Sequence, residues 1–200
     1  MSTAQKSASF PSGAEIDQRL RAAVVEAENA RFVEAWLGWR GPGRLVPNLG
    51  ALELAALGDL ADSVMLFAME GPDRIRLERA GARLQSIAGF DATGRTIAEL
   101  TPPGQLPLRA YRMRMMASWP CAGAMITLDR QTVGHGIVFE VVTFPLGADE
   151  PGQPRRLISK VTAMGGAYEP PAPGRPALMP MVDKFAFLDL GAGTPERTAP

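Results

Sequence analysis

From Ile16 to Trp39 apolar residues recur mostly at steps of three and four: Ile16, Leu20, Ala23, Val24, Ala27, Ala30, Phe32, Ala35, Trp36 and Trp39. That spacing lays one apolar stripe along a long amphipathic helix. Glu26, Glu28, Arg31 and Glu34 occupy the other faces, and Gly41-Pro42-Gly43 stops the helix. Periodicity leaves two uses for the stripe open. It pairs with a second copy of the chain, or it folds back onto its own domain. A second short helix is expected over Leu52 to Leu60. The period then changes. Val64 to Met69 is an apolar run of strand length, and Arg74 to Arg79 alternates, with Ile75 and Leu77 on one side and Arg74, Arg76 and Glu78 on the other. Gly71-Pro72-Asp73 between them predicts an antiparallel hairpin.

Short helical pieces follow, over Ala82 to Ala88 and Ile97 to Leu100. Asp91 to Gly94 carries turn chemistry, and Thr96 stands where a cap is needed. Leu106 to Trp119 reads as a helix whose stripe is Leu108, Tyr111, Met115 and Trp119, ended by Pro120. Three strands are expected next: Ala124 to Leu128, Gly136 to Leu146, and Arg155 to Met164. Gly165 to Pro180 loses all pattern and reads as an extended strap. Met181 to Leu190, with Val182, Phe185, Phe187 and Leu188, is apolar enough to dock as a last element. The expected layout is a disordered lead at 1–14, a helix at 15–40, a domain at 41–165, and a Pro/Gly-rich strap and tail at 166–200. The class is α+β, with five antiparallel strands interrupted after the second by a helical crossover.

That order, and the residues within it, resemble the PAS-like domain family, in its compact bacterial single-domain form without an output domain. The resemblance runs from Trp36 to Thr162. Trp36 and Trp39 mark the helix exit. Arg79 and Gly81 fill an Arg-x-Gly that ends the second strand in that family. Asp91, Thr93, Gly94 and Arg95 fill its turn into the central helix. Tyr111 and Pro120 mark the crossover helix and the approach to the third strand. The resemblance implies a five-stranded sheet curled around a helical wall, and a role in sensing or partner binding. Its pocket would be lined from Met65, Phe67, Leu77, Leu84, Tyr111, Met115, Met125, Phe139 and Val141, unless these side chains fill the core completely. Either Arg79 ties the second strand to the Asp91 turn, or Arg79 or Arg95 reaches into the pocket to hold an anion. Any signal is expected to leave through a separate output protein.

Composition narrows the chemistry. Among 200 residues, 21 Lys and Arg balance 21 Asp and Glu, which argues against nucleic acid as a partner. Arg109, Arg112 and Arg114 form a local basic cluster, read as a solvated helix face. No run approaches the roughly 20 apolar residues of a membrane span. No secretory signal is expected and the expected compartment is the cytoplasm. A single His and a single Cys exclude a multi-histidine metal cage and an internal disulfide, and no metal site is expected. His135, between Gly134 and Gly136, reads as a turn residue rather than an axial ligand. Cys121 reads as a small buried hydrophobe. On these grounds haem and flavin are both expected to be absent, and the cofactor is left unknown. Glu140 is the one acid inside a central strand and is expected to face outward with Val138 and Val142 or to pair at the surface. No catalytic set appears, so a non-enzymatic, homodimeric signalling module that binds a small molecule or a partner protein is favoured. A small α+β enzyme or carrier with an apolar pocket is the alternative, as is a ligand-free interaction adaptor.

Overall fold

The computed structural model describes residues 12–71, 74–129, 137–153, 155–164 and 179–196. His135 lies outside them, as does most of the 165–180 strap. Two helices open the chain, α1 (Gly13–Ala22) and α2 (Ala27–Arg40), where the sequence pattern predicts one. Ser12 and Glu15 form a capping box at the start of α1. The break comes from a partner far along the chain. The Glu140 carboxylate accepts hydrogen bonds from the Val25 and Glu26 amides at 2.7 and 2.9 Å. A carboxylate there satisfies the free amides of a new helix start and complements its dipole. No local periodicity reports that contact.

The region expected to be a short helix is instead a pair of 3-10 segments, Leu49–Ala51 and Leu54–Ser63, the second kinked at Gly58. Strands β1 (Val64–Met69) and β2 (Ile75–Ala80) form the hairpin. The crossover comprises α3 (Ala82–Ala88), α4 (Ile97–Leu100) and α5 (Leu106–Ser118). Strands β3 (Cys121–Asp129), β4 (Ile137–Leu146), β5 (Arg156–Met164) and β6 (Met181–Asp189) complete the sheet. Its order is β2-β1-β5-β4-β3-β6, antiparallel throughout. The five-strand expectation is thus corrected to six. The apolar tail segment pairs along β3 from Cys121↔Asp189 to Leu128↔Met181 and covers what would be an open edge.

The sheet buries both faces. On the outer face α1 and α2 bring Ile16, Leu20, Phe32, Val33 and Trp36 against Val142, Phe144 and Ile158. The apolar stripe of residues 16–39 is therefore spent on its own domain. On the inner face the crossover helices bring Ile97, Leu100, Met113 and Met116 against Phe67, Ile75, Leu77 and Leu157. Trp36 stacks on Phe144, ring centroids 4.6 Å apart, and Trp39 packs edge-on against Phe32 at 6.3 Å.

The motif at the crossover is placed by backbone contacts. The Gly94 amide donates to the Leu77 carbonyl at 2.8 Å, and the Leu77 amide donates to the Arg95 carbonyl at 2.9 Å. These bonds tie the turn to β2, in place of the expected Arg79–Asp91 pair. Asp91 instead accepts from the Thr93 amide, and Thr96 with Glu99 makes the capping box of α4. Gly81 is required by a close approach, since a Cβ there would lie 2.4 Å from the Asp62 backbone. A G81A substitution is expected to destabilise by about 1–3 kcal/mol, because backbone has to move to admit it. A urea midpoint unchanged from the parent would contradict this.

Candidate functional site

Two adjoining chambers lie between the inner face of the sheet and the crossover helices. The first, about 110 Å³, is apolar, with walls from Met65, Leu77, Leu84, Ile87, Leu100 and Phe139 among others. The second, about 50 Å³, is more polar and includes Arg109, Arg112, Thr143 and Ser159. Met65 and Met179 line both chambers. Thr143 and Ser159 face each other across β4 and β5 and share a hydrogen bond of 2.8 Å. Met179, at the end of the strap, is fixed by its amide donating to the Leu100 carbonyl at 2.7 Å.

Seven of the pocket residues read from sequence line these chambers: Met65, Leu77, Leu84 and Phe139 in the first, and Met65, Phe67, Met125 and Val141 in the second. Three do not. Arg79 is exposed on β2. The half-buried Tyr111 turns its hydroxyl to the Glu196 carbonyl at 3.4 Å, and Met115 lines neither chamber. Arg95 likewise stays outside, over the Phe90 ring at 5.4 Å. The α5 stripe is the reason for two of these misses. The face turned inward carries Arg109, Arg112, Met113 and Met116, while Leu108 and Trp119 are exposed. The expected solvated arginine face is corrected accordingly.

Arg109 donates from Nη2 to the Pro180 carbonyl at 2.7 Å and from Nη1 to the Met179 sulfur at 3.4 Å. Its Nε is buried with no partner among the described residues. Desolvation, with the Arg112 charge adding to it, pulls its pKa down to about 10. The Arg112 guanidinium sits 4.3 Å from the Phe185 ring centroid. Cys121 is buried in β3, and desolvation together with the Asp189 charge pushes its thiol up to about 12, so it stays protonated at neutral pH. Beyond the chambers, an open cleft of about 920 Å³ lies beside Met69, Arg114 and Gln153. Arg155 there donates to the Ala117 and Ser118 carbonyls at the end of α5.

The outer face carries a second polar feature. Glu140 does share that face with Val142, but α2 covers it and leaves it 3% exposed. The Asn29 side-chain amide donates to the Glu140 carboxylate at 2.8 Å and to its carbonyl at 3.2 Å. Thr162 donates to the Asn29 side-chain carbonyl at 2.8 Å, and the fully buried Lys160 ammonium donates to Thr162 at 2.8 Å and to Glu28 at 2.7 Å. This network latches the start of α2 to β4 and β5. Burial pulls the Lys160 ammonium below its ordinary pKa, with Glu28 opposing, and the Lys160 hydrogen bond holds the Glu28 carboxyl below its ordinary 4.5. A depressed carboxyl pKa contributes stability above the unfolded value and loses it as pH falls through the folded one. An E28Q protein is therefore expected to be less stable than the parent at pH 7, with the gap narrowing below 4.5. Urea melts across that range check it; a gap independent of pH would contradict it.

The strand order β2-β1-β5-β4-β3, with the helical crossover after β2, defines a PAS-like α+β fold. No family model matches the chain, and no curated protein sequence matches it. Among solved structures it is similar to the LOV domain of the blue-light activated histidine kinase of Erythrobacter litoralis EL346. The identity is 18% and the TM-score 0.37, over 52% of this chain and 96% of that one. It is also similar to a fungal LOV domain photoreceptor, at 16% identity and a TM-score of 0.41, over 75% of this chain and 99% of that one. The expectation of no flavin is withdrawn on this comparison, because both matched structures are LOV domains, a PAS subfamily. Among the described residues no helix is long and apolar enough to cross a membrane.

Proposed function

We propose that the chain is a non-enzymatic sensory module of the PAS type, in which occupancy of the inner chambers is read out by the α1–α2 helices on the opposite face of the sheet. One observation carries this reading. Alternate residues of the same two strands serve both sites. Along β4, Phe139, Val141 and Thr143 line the chambers, while Glu140, Val142 and Phe144 hold the helices. Along β5, Ser159 and Val161 line the chambers, while Ile158, Lys160 and Thr162 face the helices. A shift of either strand thus moves both faces together, because side chains alternate across a strand. The non-enzymatic reading is supported by the lining itself. Among the described residues of the two chambers there is no Asp, Glu, His or Cys to act as a positioned acid or base.

Output then belongs to a separate protein that contacts the exposed side of α1 and α2. Homodimerisation through the 16–39 stripe would require those helices to leave the sheet. Native mass spectrometry of the freshly purified chain tests the sensor reading. A retained small molecule, released on denaturation, is the expected result. An empty chain in which L84W fills the first chamber and leaves α2 unaffected would favour a ligand-free adaptor instead.

A further inference from the structure

We propose that the paired chambers take a small amphipathic carboxylate, its apolar end in the first chamber and its anionic end at Arg109 and Arg112. This rests on the ligand-binding reading above and adds the chemical class of the ligand. Two guanidinium groups on one helix face line the second chamber, and no carboxylate among the described residues pairs with either. The Arg109 guanidinium, whose Nε is shut off from solvent, has no counter-ion, and charge held that way is costly, so its persistence here asks for an anion. The Arg109 contacts are all to neutral acceptors, one of them a thioether sulfur, which accepts weakly. Its Nε has no partner among the described residues. The planar fork of arginine matches a carboxylate better than any other side chain does.

The surroundings agree. Thr143 and Ser159 offer hydroxyls in the same chamber. Thr127 is 3% exposed, and its hydroxyl has no partner among the described residues. Its register neighbours, Phe139 and Val182, each line a chamber. The apolar chamber next door has almost no polar lining, and the two methionines at the junction are flexible gap-fillers that can give way to a chain. At about 110 Å³ that chamber is somewhat smaller than a cavity of about 150 Å³ that accepts benzene, which limits the tail to a short chain or a single ring.

Isothermal titration of the full chain with hexanoate and with 1-hexanol separates the possibilities. The expected result is saturable binding of hexanoate, about tenfold or more tighter than hexanol. Arg112 is half-exposed, so R112M is expected to fold; it should erase the preference while leaving hexanol binding in place. R112K, which keeps the charge but loses the fork, should retain part of it. L84W should abolish binding of both probes. Hexanol binding as tightly as hexanoate, or an R112M protein that keeps the preference, would overturn the carboxylate assignment and leave the ligand-binding reading standing. No titration by either probe would overturn the assignment together with that reading.

Discussion

An E140A protein is expected to lose about 3–5 kcal/mol of stability, the range for removing one member of a buried charged network. The carboxylate holds two backbone amides at the start of α2 and the Asn29 side chain at once. Alanine leaves all three donors under a helix with no acceptor. An E140Q protein keeps the shape but presents an amide donor toward other donors, so a smaller loss, about 1–3 kcal/mol, is expected. Urea denaturation gives both values. Near-parental stability in E140A would mean that α2 is held by its apolar face alone.

Trp36 is the other anchor of that helix, and W36A is expected to cost about 3–5 kcal/mol. The side chain is fully buried, stacks on Phe144, and donates its indole N–H to the Pro145 carbonyl at 3.3 Å. If α2 undocks as one unit, the E140A/W36A double variant should lose less than the sum of the single losses, since the second anchor matters little once the first has released the helix. Strictly additive losses would show two independent attachments.

How far the sequence speaks depends on the range of the interaction. The β1–β2 hairpin and the α4 cap were legible because alternation, turn residues and capping act within a few positions. The division of residues 16–39 into two helices was not legible. Its cause is Glu140, more than a hundred residues away. In α5, residues 109, 112, 113 and 116 follow a helical i, i+3, i+4, i+7 pattern. Two of the four are arginine, and a hydropathy reading assigns such a face to water. The inward-turned guanidinium groups of Arg109 and Arg112 are thus invisible to patterning for the same reason that they are chemically suggestive. Lys160 is a similar case. A lysine in a strand reads as solvent-facing until Glu28 and Thr162 close over it. The flavin expectation, withdrawn above, had rested on the placement of the lone Cys121.

In the proposed sensor the chambers and the α2 latch communicate through β4 and β5. Hydrogen exchange at the Val25, Glu26 and Asn29 amides, compared between the parent chain and L84W, tests it most directly. Filling the chamber is expected to firm the shared strands and slow exchange at those positions on the opposite face. Unchanged exchange there, while the amides of α3 around the new tryptophan respond, would show that the two faces of the sheet are not coupled.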